Sequence, residues 1–90
     1  MPQRPNARST RAAAETTAFG QVLRDARLRK GLTQEQLSFL AGRHDTYVRR
    51  LEQGSSSPTL ETLFALAKAL DISPSTLVRR VEQITDQRER

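Results

Sequence analysis

The sequence predicts an all-α domain of five short helices, and three observations carry that prediction. Apolar residues recur at i, i+3, i+4 and i+7 from Phe19 onward, and no segment alternates as a half-buried strand does. Residues that cap helices, Thr33, Thr59 and Ser73, stand at the head of three apolar runs. Gly31, Gly42 and Gly54 stand where runs end.

Residues 1–18, MPQRPNARSTRAAAETTA, hold two Pro, several small or polar side chains and no apolar period. They read as a flexible basic arm, ending in a fraying helical turn over 12–17, with Arg4, Arg8 and Arg11 for loose contact with phosphates. Helix one starts at Phe19, with Phe19, Val22, Leu23 and Ala26 on one face. Arg29 and Lys30 suit its C-terminal dipole, and Gly31 ends it. In LTQEQL, Thr33 and Gln36 form a capping box and Leu32 and Leu37 a hydrophobic staple, so helix two starts at Gln34 and stops near Gly42. Tyr47, Val48 and Leu51 mark helix three, closed by Gly54. SSSPTLETLFALAKAL gives a loop, an N-cap at Thr59, a dipole-friendly Glu61, and Leu60, Leu63, Ala67 and Leu70 on one face. In DISPSTL, Ile72 and Leu77 bracket the N-cap Ser73, with Pro74 at the first helical position. Helix five runs through Leu77, Val78 and Val81, then frays into a polar tail over 82–90. The domain proper is therefore 19–81.

Ninety residues make one small domain, whose core buries only about 60% of the unfolded surface. A deep, enclosed pocket is disfavoured and an exposed working face favoured. The net charge of +5 points to an anionic partner, although solubilising surface charge explains it equally well. No apolar run approaches the roughly 18 residues of a membrane span, and no apolar stretch of a secretory signal follows the N-terminus. Without Cys there is no disulfide framework and no thiolate metal site. His44, the one His, lacks nearby carboxylate or thiolate partners at ligand spacing. A catalytic set drawn from Ser55, Ser57, His44 and Asp45 would lack an enclosing pocket and oxyanion donors. The expectation is a soluble, cytoplasmic, non-enzymatic protein that needs no metal or other cofactor.

About three residues around Gly42 separate helices two and three, too few for an antiparallel hairpin and suited to the steep crossing of a helix-turn-helix. Leu37, Ala41, Val48 and Leu51 then face inward, and Ser38 is small enough for close approach of the helices. Asp45, Thr46, Arg49, Arg50 and Gln53 are left outward on helix three.

At this point the sequence resembles the Cro/phage-repressor (Xre) family of DNA-binding domains, which includes restriction–modification controller proteins. The resemblance spans Phe19 to Val81 and rests on FGQVLRDARLRKGLTQEQLSFLAG, TYVRRLEQG and SPTLETLFALAKALDIS, in that order and at that spacing. It implies a five-helix Cro/repressor-like fold in which Gln34 holds a DNA phosphate. It also implies that helix three enters the major groove, with His44, Asp45, Thr46 and Arg50 at the positions that meet bases. Arg27 and Glu52 match a family pair that serves fold stability. Two positions depart from the pattern: Arg43 replaces the apolar residue that staples helix three, and His44 replaces the usual Ser, Thr or Asp N-cap.

Single residues keep more than one reading. Arg49 and Arg50 are either a solvated face or DNA contacts, where Arg meets guanine bidentately or serves phosphate. Asp45 caps helix three, accepts from a cytosine amino group, or impairs DNA binding by repulsion. Tyr47 either packs or lies along the sugar-phosphate backbone. Thr46, Arg49 and Arg50 are the best candidate readers, with Gln34, Tyr47 and the loop from Ser55 to Thr59 holding the backbone. A single module buries roughly 600–1,000 Å² on DNA, too little for tight specific binding, so a homodimer on a two-fold operator is expected. Leu77, Val78, Val81 and Ile84 are its expected interface. The expected role is a small prokaryotic or phage transcriptional regulator, which represses by occupying promoter sequence or activates by touching RNA polymerase. The rival is a protein-interaction module on the same fold, an antitoxin or an adaptor, supported by Asp45 and by the broken staple at Arg43.

Overall fold

Five helices and their turns account for residues 7–89, the span that the computed structural model describes; side chains are described for 14–87. In chain order they are α1 (Ala7–Lys30), α2 (Gln34–Leu40), α3 (Tyr47–Glu52), α4 (Leu60–Ala69) and α5 (Pro74–Glu89), and no strand occurs among the described residues. The architecture is the all-α, five-helix arrangement expected.

The helix starts follow the predicted chemistry. Thr33 Oγ1 accepts from the Gln36 N–H at 3.0 Å while Gln36 Oε1 accepts from the Thr33 N–H at 2.8 Å, so the capping box of α2 is complete. Thr59 Oγ1 caps α4 through the Thr62 N–H at 3.2 Å, and Ser73 Oγ takes the Ser75 N–H at the head of α5. The ends of α1 to α4 share one device, a left-handed residue followed by a backbone bond reaching back into the last turn. At Gly42 (φ 70°) the next N–H, that of Arg43, returns to Ser38 O at 2.8 Å. Asp71 (φ 58°) takes that place after α4, the one side chain besides glycine at positive φ among the described residues. Lys30 Nζ reaches Asp71 Oδ2 at 2.6 Å from the end of α1, and that hydrogen bond holds the carboxyl below its ordinary value.

Phe19, Leu23 and Ala26 of α1 meet Leu37 and Ala41 around α2, Val48 and Leu51 of α3, and Leu66 and Leu70 of α4 in one cluster. Val22, Ala67 and Leu77 form a smaller one, joined to the first by Leu63, Ile72 and Val81. The buried faces predicted for helices one to three are therefore in the core.

Four expectations change. The first helix does not begin at Phe19: α1 starts at Ala7, and Ala18 is fully buried. Thr16 Oγ1 shares a 2.8 Å hydrogen bond with Ser57 Oγ. Alanine-rich sequence propagates a helix without any apolar period, which is why periodicity placed the boundary too late. Of the flexible arm expected over 1–18, residues 1–6 lie outside the described residues. At the other end α5 continues to Glu89 instead of fraying after Val81, and Ile84 packs against the Val22, Ala67 and Leu77 cluster. Leu60 sits in the first turn of α4, where no neighbour covers it, and is 68% exposed; Leu66 is the fully buried residue of that helix. Finally α3 starts only at Tyr47, so the stretch between α2 and α3 is longer than the three residues predicted.

Candidate nucleic-acid interface

Val48 and Leu51, both fully buried, fix which side of α3 faces in. Position along the helix is set by two further contacts. Gly20, inside α1, lies so close to the end of α3 that a Cβ there would stand 2.6 Å from Leu51 O and 2.9 Å from Glu52 O. Ser38 Oγ of α2 accepts from the Val48 N–H at 3.1 Å, within the core. That donor belongs to the first turn of α3, whose N–H groups have no helical partner. The cap of this helix thus comes from the neighbouring helix.

The C-terminal end of α3 carries a closed ionic network. Arg27 Nε and Nη2 donate to the two oxygens of Glu52 at 2.6 and 2.9 Å, and Arg27 Nη1 donates to Leu32 O at 2.9 Å. Both side chains are at least nine-tenths buried. The hydrogen bond to Glu52 raises the guanidinium above its already high value, with burial opposing. Gln34 completes the network, Nε2 donating to Glu52 Oε1 at 3.0 Å. The amide expected only to hold a phosphate is therefore also a structural partner. One of its two N–H bonds is committed inside, and the second is left for a partner outside.

The N-terminal end is built differently. Thr46 occupies the cap position but makes no side-chain cap bond, and Asp45 does not cap the helix either. His44 braces the turn just before the helix: its Nδ1 lies 3.3 Å from the Thr46 N and 3.1 Å from Thr46 Oγ1, with Asp45 Oδ1 at 3.0 Å. Arg43 donates from Nη2 to Thr62 Oγ1 of α4 at 2.7 Å and places its guanidinium carbon 5.9 Å from the centre of the Tyr47 ring. A polar anchor and a cation over a ring replace the apolar staple. Tyr47 is half-buried and packs against the main cluster.

What remains outward is cationic. Arg49 and Arg50 are exposed and have no hydrogen-bond or ion-pair partner among the described residues. Arg50 shares a shallow depression with His44, Thr46 and Tyr47. Ser55 and Ser57 lie exposed in the loop that follows α3. The structure thus gathers His44, Thr46, Tyr47 and Arg50, sets Asp45 beside His44 and Arg49 on the exposed side of α3, and places Gln34 by Glu52 at the far end of the helix. Gly20, Arg43 and Ser38 are the contributors that sequence reasoning missed or undervalued. Their partners lie on other helices, so no local spacing reveals them. Among the described residues no three His, Cys, Asp or Glu side chains are grouped to hold a metal.

Comparison with known proteins gives a concordant result. The helix-turn-helix family model matches residues 23–77. The chain is similar to the uncharacterized HTH-type transcriptional regulator y4dJ of Sinorhizobium fredii, 43% identical over 60 residues that span 64% of this chain and 78% of the relative. It is similar to the control protein C.BamHI of Bacillus amyloliquefaciens, 36% identical over 61 residues, 67% of this chain and 75% of that one. The crystal structure of the restriction-modification controller protein C.AhdI from Aeromonas hydrophila superposes with a TM-score of 0.69 at 45% identity, covering 71% of this chain and 97% of the other.

Proposed function

We propose that this chain, which belongs to the helix-turn-helix family, binds double-stranded DNA as a small transcriptional regulator with α3 in the major groove. The observation that carries this is the pair Arg49 and Arg50, exposed and without an intramolecular partner, on a helix whose opposite face is locked into the core. Unpaired guanidiniums on a rigid helix are available to base edges and phosphates, whereas Arg43 and Arg27 are already engaged. In this reading Arg50, Thr46, His44 and Asp45 meet bases. Gln34 gives its second amide N–H to a phosphate, and Tyr47, Ser55 and Ser57 flank the backbone. The chain does no chemistry on its partner and needs no cofactor. Its place of action is the cytoplasmic nucleoid; among the described residues no helix is long and apolar enough to cross a membrane.

Two copies on a two-fold operator, with recognition helices about 34 Å apart, supply the affinity that one module lacks. Their contact is moved from the place the sequence suggested. Leu77 and Ile84 are used inside the monomer, while Leu60 and Phe64 stand exposed one turn apart on α4, and Val78 is exposed on α5. That face is the proposed dimer surface. Regulation then follows by occupying promoter sequence or by touching RNA polymerase.

The test is an anisotropy titration with a random duplex at two salt concentrations, followed by selection of preferred duplexes. Salt-sensitive binding is expected, and Arg50→Ala should relax preference at one base pair per half-site by roughly 1–3 kcal/mol while leaving the melting temperature nearly unchanged. No binding even at low salt would transfer the fold to the rival use, protein interaction. That rival loses the support of Arg43, whose bond to Thr62 mends the staple. It gains Phe39 and Leu40 of α2, which are 80% and 55% exposed.

A further inference from the structure

We propose that His44 and Asp45 form a proton-operated pair at the entrance to α3, through which DNA binding tightens as pH falls. The proposal rests on the DNA-binding reading and concerns the regulation of that surface. Its basis is that three polar atoms converge on one ring nitrogen. His44 Nδ1 has the Thr46 N at 3.3 Å, Thr46 Oγ1 at 3.1 Å and Asp45 Oδ1 at 3.0 Å. A ring nitrogen holds either a lone pair or a proton, so these neighbours cannot all be satisfied at once.

In the neutral tautomer that carries its proton on Nε2, Nδ1 accepts from the Thr46 N–H or hydroxyl, and the Asp45 carboxylate beside it accepts nothing from Nδ1. Its negative charge then stands uncompensated on the face that meets phosphates. The charged ring, by contrast, always presents Nδ1–H. When a proton from solvent adds to Nδ1, the ring becomes a donor and turns its bond to Asp45 Oδ1. The Thr46 N–H loses its acceptor, and the exposed helix start takes a water instead. One proton thus takes the pair from a net charge of −1 to zero, so that the Asp45 charge no longer stands uncompensated on the DNA-facing side. Imidazole is the side chain that ordinarily changes charge between about pH 5 and 8.

The neighbouring charges agree with this direction. Asp45 is the acid in contact with the ring, on the same turn. From α3, Arg50 and Tyr47 line the same depression. The Arg43 guanidinium is turned away to Thr62 and the Tyr47 ring. Among the described residues, none of α1, α4 or α5 lines that depression. A duplex brings phosphates close to His44, so binding DNA and binding the proton favour one another.

Two measurements on the full chain test this. In the free protein, carboxyl and imidazole shifts are followed by NMR between about pH 5.5 and 8. The Asp45 carboxyl should move in step with the His44 ring, and His44→Gln should abolish that step. An Asp45 carboxyl that ignores the ring overturns the proposal. On DNA, the wild type should bind a random duplex about tenfold more tightly per protomer at the acidic end than at the alkaline end. His44→Gln should give a flat profile, and Asp45→Asn a reduced slope. A His44→Gln profile as steep as wild type would sink the proposal while leaving the DNA reading intact. A wild type that binds no duplex at any pH would end the DNA reading, and with it the regulation proposed here, whatever the NMR shows.

Discussion

At its C-terminal end α3 is held by a bidentate ion pair sealed from water and by a backbone approach that only glycine permits; at its N-terminal end it is held by single neutral or one-sided hydrogen bonds, most of them near the surface. Among the described residues, only Ser38 gives the N-terminal end a buried bond. The difference teaches where rigidity is needed. The closed end fixes the helix against α1, so that its exposed arginines point one way. The open end carries the residues proposed to meet bases, and there the chain keeps contacts that are weak enough to rearrange.

Breaking the closed end should cost most. Arg27→Ala leaves Glu52 buried with only Gln34 as donor, and the loss should be about 3–5 kcal/mol, read as a lowered denaturation midpoint. A loss under about 1 kcal/mol would mean that water reaches the carboxylate and that this end is not sealed. Gly20→Ala is expected to cost about 1–3 kcal/mol by forcing α1 and α3 apart, even though alanine is the better helix former. A stabilised Gly20→Ala would show that the two helices part freely, and the contrast between the ends would lose half its basis.

How much of this was legible depends on where partners lie along the chain. The capping box at Thr33 and Gln36 and the caps at Thr59 and Ser73 join residues two or three apart, so spacing alone revealed them. The core faces of the first three helices followed from periodicity. The pairing of Arg27 with Glu52 came from resemblance, since nothing in one sequence joins residues 25 apart. The start of α3 was the least legible part, because its supports come from Ser38 on α2, Thr62 on α4 and a histidine in place of the usual cap. Ile84 follows the same rule. Spacing marks it as an isolated apolar residue in a polar segment, whereas its packing against Val22 and Leu77 depends on the helix carrying on.

The N-terminal end supplies the smaller effects. Ser38→Ala would strand the buried Val48 N–H, and the expected cost is about 1–2 kcal/mol, below that of Arg27→Ala. It should also raise amide exchange at Val48 before any other residue of α3, because the unpaired donor opens first. An exchange pattern unchanged at Val48 would show that a different group satisfies it.

Arg43 gives the smallest effect and the sharpest comparison. Its guanidinium bonds the Thr62 hydroxyl and lies over the Tyr47 ring, but Thr62 Oγ1 also keeps a 2.9 Å bond to Thr59 Oγ1. Removing Arg43 therefore strands no buried atom, unlike removing Arg27. Arg43→Ala should cost about 1 kcal/mol, for one hydrogen bond and a partly exposed cation over a ring. Arg43→Leu should recover part of that, since an apolar side chain at this position can pack against the half-buried Tyr47 in the manner of a staple. Melting curves of the two variants beside Arg27→Ala decide the matter. If Arg43→Ala destabilises the domain as much as Arg27→Ala does, the entrance to α3 is as firmly locked as its exit. The bonds around His44 would then have no freedom to exchange.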